Sequence, residues 1–273
     1  MCFQRMPLYF FRDLCNLLVR DLRRHSNDYS RNRTHICIKK DQTGCRGKKC
    51  DSSAFFLEGG PNPSLYDRRS HGFLMGQTVQ IEVRELGPDL LQDYLQFFDQ
   101  AFSDFPQWSD CYCGFYDTSE ADWDATSNAG PEHRAARSAL ISASKAEGLL
   151  AYIDDRPVGW CNAQPRANFV NMRSYRVALT DPGEPVGSIM CFVVSPGYRG
   201  RGVCTALLRA ACEKFRRDGL HIAEGYPTTS PQKRFGEIPW AEANYKGPLN
   251  VYLKNGFKIH RQLEVFAIVR KQL

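Results

Sequence analysis

The chain has 273 residues, 36 Lys and Arg against 30 Asp and Glu, and a formal net charge of +6. Residues 1–74 hold 14 Lys and Arg against 7 Asp and Glu, and the remainder 22 against 23, so the basic character belongs to the leader. The leader as a nucleic-acid-binding arm is an alternative, but basic tails are common and no recognition fold accompanies it, so a nucleic-acid partner is not expected; no segment is long and apolar enough to predict a membrane span.

In chain order, Phe10 to Leu22 has the spacing of a short amphipathic helix, with Phe10, Leu14, Leu17, Leu18 and Leu22 aligned. Its aspartates argue against organelle targeting, and no secretory hydrophobic core is present. Residues 24–72 are polar and read as loop or disorder. Two domains follow: a basic, low-order extension over 1–74, and a folded domain over 75–273 that starts near Met75-Gly76-Gln77. The eleven cysteines are odd in number and scattered. Without an export signal they read as reduced thiols in the cytoplasm. His35, Cys37, Cys45 and Cys50 match no common zinc module, so no metal is expected.

The pattern then predicts a strand over 79–86 and a helix over 88–102 opened by Pro88. Residues 105–126 read as a long loop with six aromatic residues and the acids Asp110, Asp117, Glu120, Asp122 and Asp124. On an extended segment Cys111 and Cys113 would face the same side across Tyr112, either as small buried residues or as a pair lining an acceptor site. A helix is expected over 131–147, a hairpin over 149–163, and a polar insertion over 168–187. Next come a buried strand over 188–194 and a helix with Val203, Leu207, Leu208, Ala211, Cys212 and Phe215 on one face. A strand over 221–225, a long loop, a helix around Tyr252 and one terminal strand over 257–269 complete the order. This mixture means α/β.

Between the 188–194 strand and its helix lies Ser195-Pro196-Gly197-Tyr198-Arg199-Gly200-Arg201-Gly202. Glycines there let a ligand approach the backbone, and the N–H groups of the first helical turn favour a phosphate. Alone, this is a weak signal. The order Val194-x-Pro196, Tyr198, Arg199-x-x-Gly202-x-Cys204 resembles the acetyl-CoA motif of the GNAT acetyltransferase superfamily, with Cys204 where the family prefers Gly or Ala. Asn250-Val251-Tyr252-Leu253-Lys254-Asn255-Gly256-Phe257 is similar to the family's late Tyr-x-x-x-Gly-Phe helix. Cys111-Tyr112-Cys113, Pro157 to Cys161, Glu224 to Pro227 and Tyr245-x-Gly247 resemble a bacterial-type subgroup.

The resemblance implies a GNAT-like mixed central sheet flanked by helices, and acetyl-CoA as cosubstrate. It implies that the backbone of Phe192, Val193 and Val194 holds the pantetheine arm. The turn and first helical turn (Gly200, Gly202, Val203, Cys204 and Thr205) would hold the pyrophosphate, with charge from Arg199 and Arg201. Tyr252 is the expected general acid. Many relatives carry a glutamate on the central strand, but residues 188–194 hold no carboxylate. Glu224 is the nearest candidate base, the alternative being a strand-end carboxylate in solvent or in an ion pair. Glu237, Glu242 and a water relay stay open. Cys111, Cys113 and Tyr226 are candidate acceptor-site residues. The expected reaction is acetylation of a small cationic amine. The alternatives are a protein or peptide amine as acceptor, or a non-catalytic acyl-CoA sensor. A homodimer is compatible with the resemblance.

Overall fold

Residues 80–104, 106–125, 130–171, 183–230 and 244–273 are described by a computed structural model. The 10–22 helix, the domain boundary at 75, the group from His35 to Cys50, Glu237, Glu242 and most of the polar insertion lie outside the described residues.

Strand β1 (Glu82–Glu85) leads through a 3-10 turn (Pro88–Leu90) into helix α1 (Leu91–Gln100). Pro88 opens that turn, where its missing N–H goes unneeded. Tyr94, Leu95, Phe97 and Phe98 are buried on α1. The following segment is more ordered than the loop expected from sequence. It contains 3-10 turns at Pro106–Cys111 and Phe115–Asp117 and a short helix, α2 (Glu120–Ala125). Ser119 caps α2: its Oγ accepts from the Asp122 N–H at 3.1 Å and donates to the Asp122 carboxylate at 2.6 Å. Helix α3 (Gly130–Ser142) stops short of the expected end, because the chain turns at Ser144 with φ 55°.

Strands β2 (Leu149–Ile153) and β3 (Arg156–Pro165) form the expected hairpin. Asp154 and Asp155 make its turn with φ 50° and 57°, the left-handed pair that suits a two-residue connection. Strand β4 (Val186–Val194) is followed by helix α4 (Val203–Arg217), strand β5 (Ile222–Gly225) and helix α5 (Leu249–Lys254). The single terminal strand expected from sequence is instead a hairpin, β6 (Lys258–Gln262) and β7 (Ala267–Gln272). The buried run Ala267 to Val269 is the inner strand, and Lys258, His260 and Arg261 lie on an outer one, where charged side chains are compatible with an edge.

The seven strands form one sheet in the order β1-β2-β3-β4-β5-β7-β6. All neighbours are antiparallel except β4 and β5. Alternation along β2 sends Leu149, Ala151 and Ile153 to the α4 face and Leu150 and Tyr152 to the α1 face. The core thus has two layers of side chains, one under α4 and one under α1. Among the described residues, no helix is long and apolar enough to cross a membrane.

The parallel pairing positions the site. β4 and β5 are in register only from Val186 with Ile222 to Ile189 with Gly225. Beyond Ile189, β4 continues to Val194 beside β3. The chain after β5 instead follows the other side of the sheet, with the Ala267 N–H donating to the Pro227 carbonyl at 3.0 Å. One edge of β4 therefore opens just before the turn into α4.

Candidate active site

The Ser195 N–H donates to the Val158 carbonyl at 3.0 Å. In an antiparallel ladder this bond fixes the alternation, so the backbone of Val193 faces β3 and that of Phe192 and Val194 faces the opened edge. Of the three residues expected to hold a pantetheine arm, Val193 turns its N–H and carbonyl to the ladder with Trp160. Phe192 already donates its N–H to the Tyr245 carbonyl at 2.6 Å, and the Val194 carbonyl accepts from Arg199 Nε at 3.0 Å.

The turn after β4 leads into α4 through a left-handed glycine. Gly202 is the N-cap of α4 with φ 89°, a left-handed conformation that side-chain-bearing residues rarely adopt. The first bond of the helix runs from the Ala206 N–H to the Gly202 carbonyl, so the N–H groups of Val203, Cys204 and Thr205 have no partner within the helix. Lys214, Arg216 and Arg217 sit in its last turn, at the negative end of the dipole.

The two arginines of the turn separate in role. Arg199 forms an ion pair with Asp104, with a second contact at 3.3 Å, in addition to its bond to Val194. It ties the end of α1 to the end of β4. Arg201 packs its guanidinium over the Tyr198 ring at 5.5 Å. Cys204 is only partly exposed, and burial pushes its thiol up to about 12, so it stays protonated.

Tyr252 lies below the opened edge and is fully buried, edge-on to Phe192 and Phe257. Its hydroxyl donates to the Lys246 carbonyl at 2.8 Å. Gly225 permits the approach, since a Cβ there would run into the tyrosine ring and lie 2.8 Å from its hydroxyl. Burial raises this hydroxyl well above the ordinary tyrosine value, which keeps it protonated.

The structure places Glu224, the candidate base, in a buried ion-pair cluster. Its carboxylate is 1% exposed, accepts from Arg270 Nε at 2.5 Å and from Arg166 at 3.3 Å, and also accepts from the Tyr226 hydroxyl. Two cations and a phenol surround it, so its removal would leave the arginines without this carboxylate. Tyr226, a candidate acceptor-site residue, belongs to this cluster through Glu224 and Ser188.

A cavity of about 100 Å³ opens beside Phe192, Val193 and Val194. Aromatic rings dominate its wall, including Phe98, Trp108, Phe115, Tyr116 and Tyr245. Cys111 and Cys113 line it together, although not on the extended segment expected: Cys111 ends a 3-10 turn, and Tyr112 and Cys113 are left-handed with φ 40° and 48°. No described carboxylate lines it. Asp117 pairs with Arg137 and accepts from Gln164 at 2.6 Å, and Asp122 is bound to Ser119. The side chains of Glu120 and Asp124 lie outside the described part of the molecule. Sequence reasoning missed Cys191 and Trp108, and singled out Tyr245 only within the Tyr245-x-Gly247 pattern. The ring contact between Trp108 and Tyr245, at 5.5 Å, joins segments with no sequence signal in common.

Residues 102–232 match the model of the acetyltransferase (GNAT) family. No curated protein matches the sequence. Among solved structures, similarity is found to the PaiA N-acetyltransferase from Thermoplasma acidophilum in complex with coenzyme A, at 18% identity and a TM-score of 0.40, covering 71% of this chain and 99% of that one. A GNAT-family acetyltransferase from Streptococcus pneumoniae is 16% identical with a TM-score of 0.41, over 71% of this chain and 99% of the other. An uncharacterized protein from Bacillus halodurans is 12% identical with a TM-score of 0.44, over 70% of this chain and 83% of the other.

Proposed function

Because the chain carries a GNAT acetyltransferase domain and such enzymes move acetyl groups from acetyl-CoA to amines, we propose that its acceptor is a small primary amine on an apolar or aromatic body. The observation that carries this reading is the aromatic cavity without a described carboxylate, beside the opened edge of β4. The acidic loop points in sequence to a small cation, but its described acids are engaged elsewhere or absent from the cavity wall.

In this reading the N–H groups of Val203, Cys204 and Thr205, with Arg201, hold the pyrophosphate, and the edge groups of Phe192 and Val194 hold the pantetheine arm. Arg199 positions the turn through Asp104 and the Val194 carbonyl. Acetyl-CoA supplies an acetyl thioester, electrophilic enough for direct attack by a neutral amine. A primary ammonium in water loses its proton near pH 10. Transfer into an apolar cavity disfavours the charged form and brings that value down. Desolvation therefore supplies the free amine without a buried carboxylate base. Tyr252, kept protonated by burial, donates a proton to the departing thiolate, and the proton released by the acetylated nitrogen restores the tyrosine through solvent.

A panel of amines tests the acceptor class, with coenzyme A release as the readout. An arylalkylamine should exceed a linear polyamine in kcat/KM by about tenfold or more, since each buried methylene or ring carbon adds binding that a charged chain forfeits. A polyamine used equally well would return the acceptor to the cationic class.

A further inference from the structure

The cavity holds a group of side chains that acetyl transfer does not use. Cys111, Cys113 and Cys191 all line it. Cys113 is 4% exposed, and its sulfur accepts a side-chain hydrogen bond. Asn162 Nδ2 donates to it at 3.4 Å, and Cys191, the cross-strand partner of Asn162, lines the same cavity. The Trp160 indole N–H is buried and meets no acceptor among the described residues. The Arg137 guanidinium, 2% exposed, adds positive charge nearby.

This environment favours a thiolate. The Cys191 contact, opposed by burial and helped by Arg137, holds the Cys113 thiol below the ordinary range. The same contact pushes Cys191 up, which makes it the protonated partner. Burial pushes Cys111 up to about 12, and raises Cys161 and Cys212 as well. A thiol held below the ordinary range and a second, protonated thiol on the wall of one cavity are what exchange and resolution of a disulfide require. Phe192 and Val194 line the same cavity, so a pantetheine arm held there would bring its sulfur end towards the pair.

We propose that Cys113 is a thiol–disulfide exchange site for the disulfide of coenzyme A, with Cys191 as the resolving thiol, and that their cross-link alters the wall of the acceptor cavity. The preference for this disulfide rests on the coenzyme site described above. The Cys113 thiolate attacks one sulfur of the coenzyme disulfide, forming a mixed disulfide and releasing one coenzyme thiolate. That thiolate takes the Cys191 proton. The Cys191 thiolate then attacks the Cys113 sulfur and expels the second coenzyme thiolate, which is protonated by water. Two protein thiols are oxidised and one coenzyme disulfide is reduced to two thiols.

The test treats the reduced full chain with coenzyme A disulfide or with oxidised glutathione, and maps disulfides by mass spectrometry of proteolytic peptides. Expected is a Cys113–Cys191 cross-link that forms about tenfold or more faster with the coenzyme disulfide. Acetyl transfer should fall in parallel and return with dithiothreitol. Cys191→Ser should stop at a coenzyme mixed disulfide on Cys113. Cys113→Ser should form no cross-link, with the ratio of treated to untreated activity near one. A chain that binds acetyl-CoA yet forms no such cross-link, or forms it equally fast with oxidised glutathione, overturns this proposal and leaves the acetyltransferase reading standing. Absence of acetyl-CoA binding in a parallel titration removes the coenzyme site, and this proposal with it.

Discussion

Changing Tyr252 to Phe is expected to lower kcat by about 100-fold or more while leaving acetyl-CoA affinity unchanged. The ring would keep its place, because Phe192, Phe257 and the bare backbone of Gly225 define its slot and none of them needs the hydroxyl. What is lost is a proton donor that burial holds in its protonated form. The Lys246 carbonyl also loses its donor, which costs about 1 kcal/mol of stability. That loss is too small to unfold a domain of this size. Pre-steady-state and steady-state kinetics on the variant, with calorimetric titration of acetyl-CoA, separate the two effects. Unchanged turnover would remove Tyr252 from its assigned role.

Glu224→Ala should destabilise the fold by about 3–5 kcal/mol, as expected when one partner of a buried ion pair is removed. Arg166 and Arg270 would both be left in the interior without their carboxylate, the former 8% and the latter 11% exposed at the side chain. Arg270 keeps a contact to Glu184 at 3.1 Å, which does not replace the buried one. Glu224→Gln retains the shape but not the charge, so it too should lower the urea midpoint. If Glu224 were the base, the Gln variant would instead fold with ordinary stability and lose turnover. Urea unfolding and kinetics on the same sample distinguish a structural carboxylate from a catalytic one.

The parts of the site written in contiguous residues are legible in the sequence itself. The strand, the glycine turn and the α4 face lie within one window, and their periodicities are local. The hairpin turn at Asp154 and Asp155 is legible for the same reason. The fate of Glu224 is not, because Arg166 and Arg270 are 58 and 46 residues away and nothing in either segment marks a partner. An acidic residue inside an apolar strand correctly signals something unusual, and only the tertiary contacts separate an ion pair from a base. The terminal hairpin reads as one strand because a long apolar–polar alternation does not reveal where it folds back on itself. Helix α2 escapes notice although Ser119-x-x-Asp122 is a capping pattern, since the surrounding aromatic and acidic residues carry no clear helical period. Cys191 is hidden by its place on β4, a strand whose sequence speaks only for its backbone.

Calorimetric titration of acetyl-CoA into the full chain, repeated with Arg201→Ala, tests the central claim most directly. Binding of micromolar order that weakens by about tenfold in the variant, the loss of one charge-assisted contact to phosphate, is the predicted result. No heat and no binding by a protein that circular dichroism shows to be folded would contradict it, and the glycine turn before α4 would then be an ordinary basic connection.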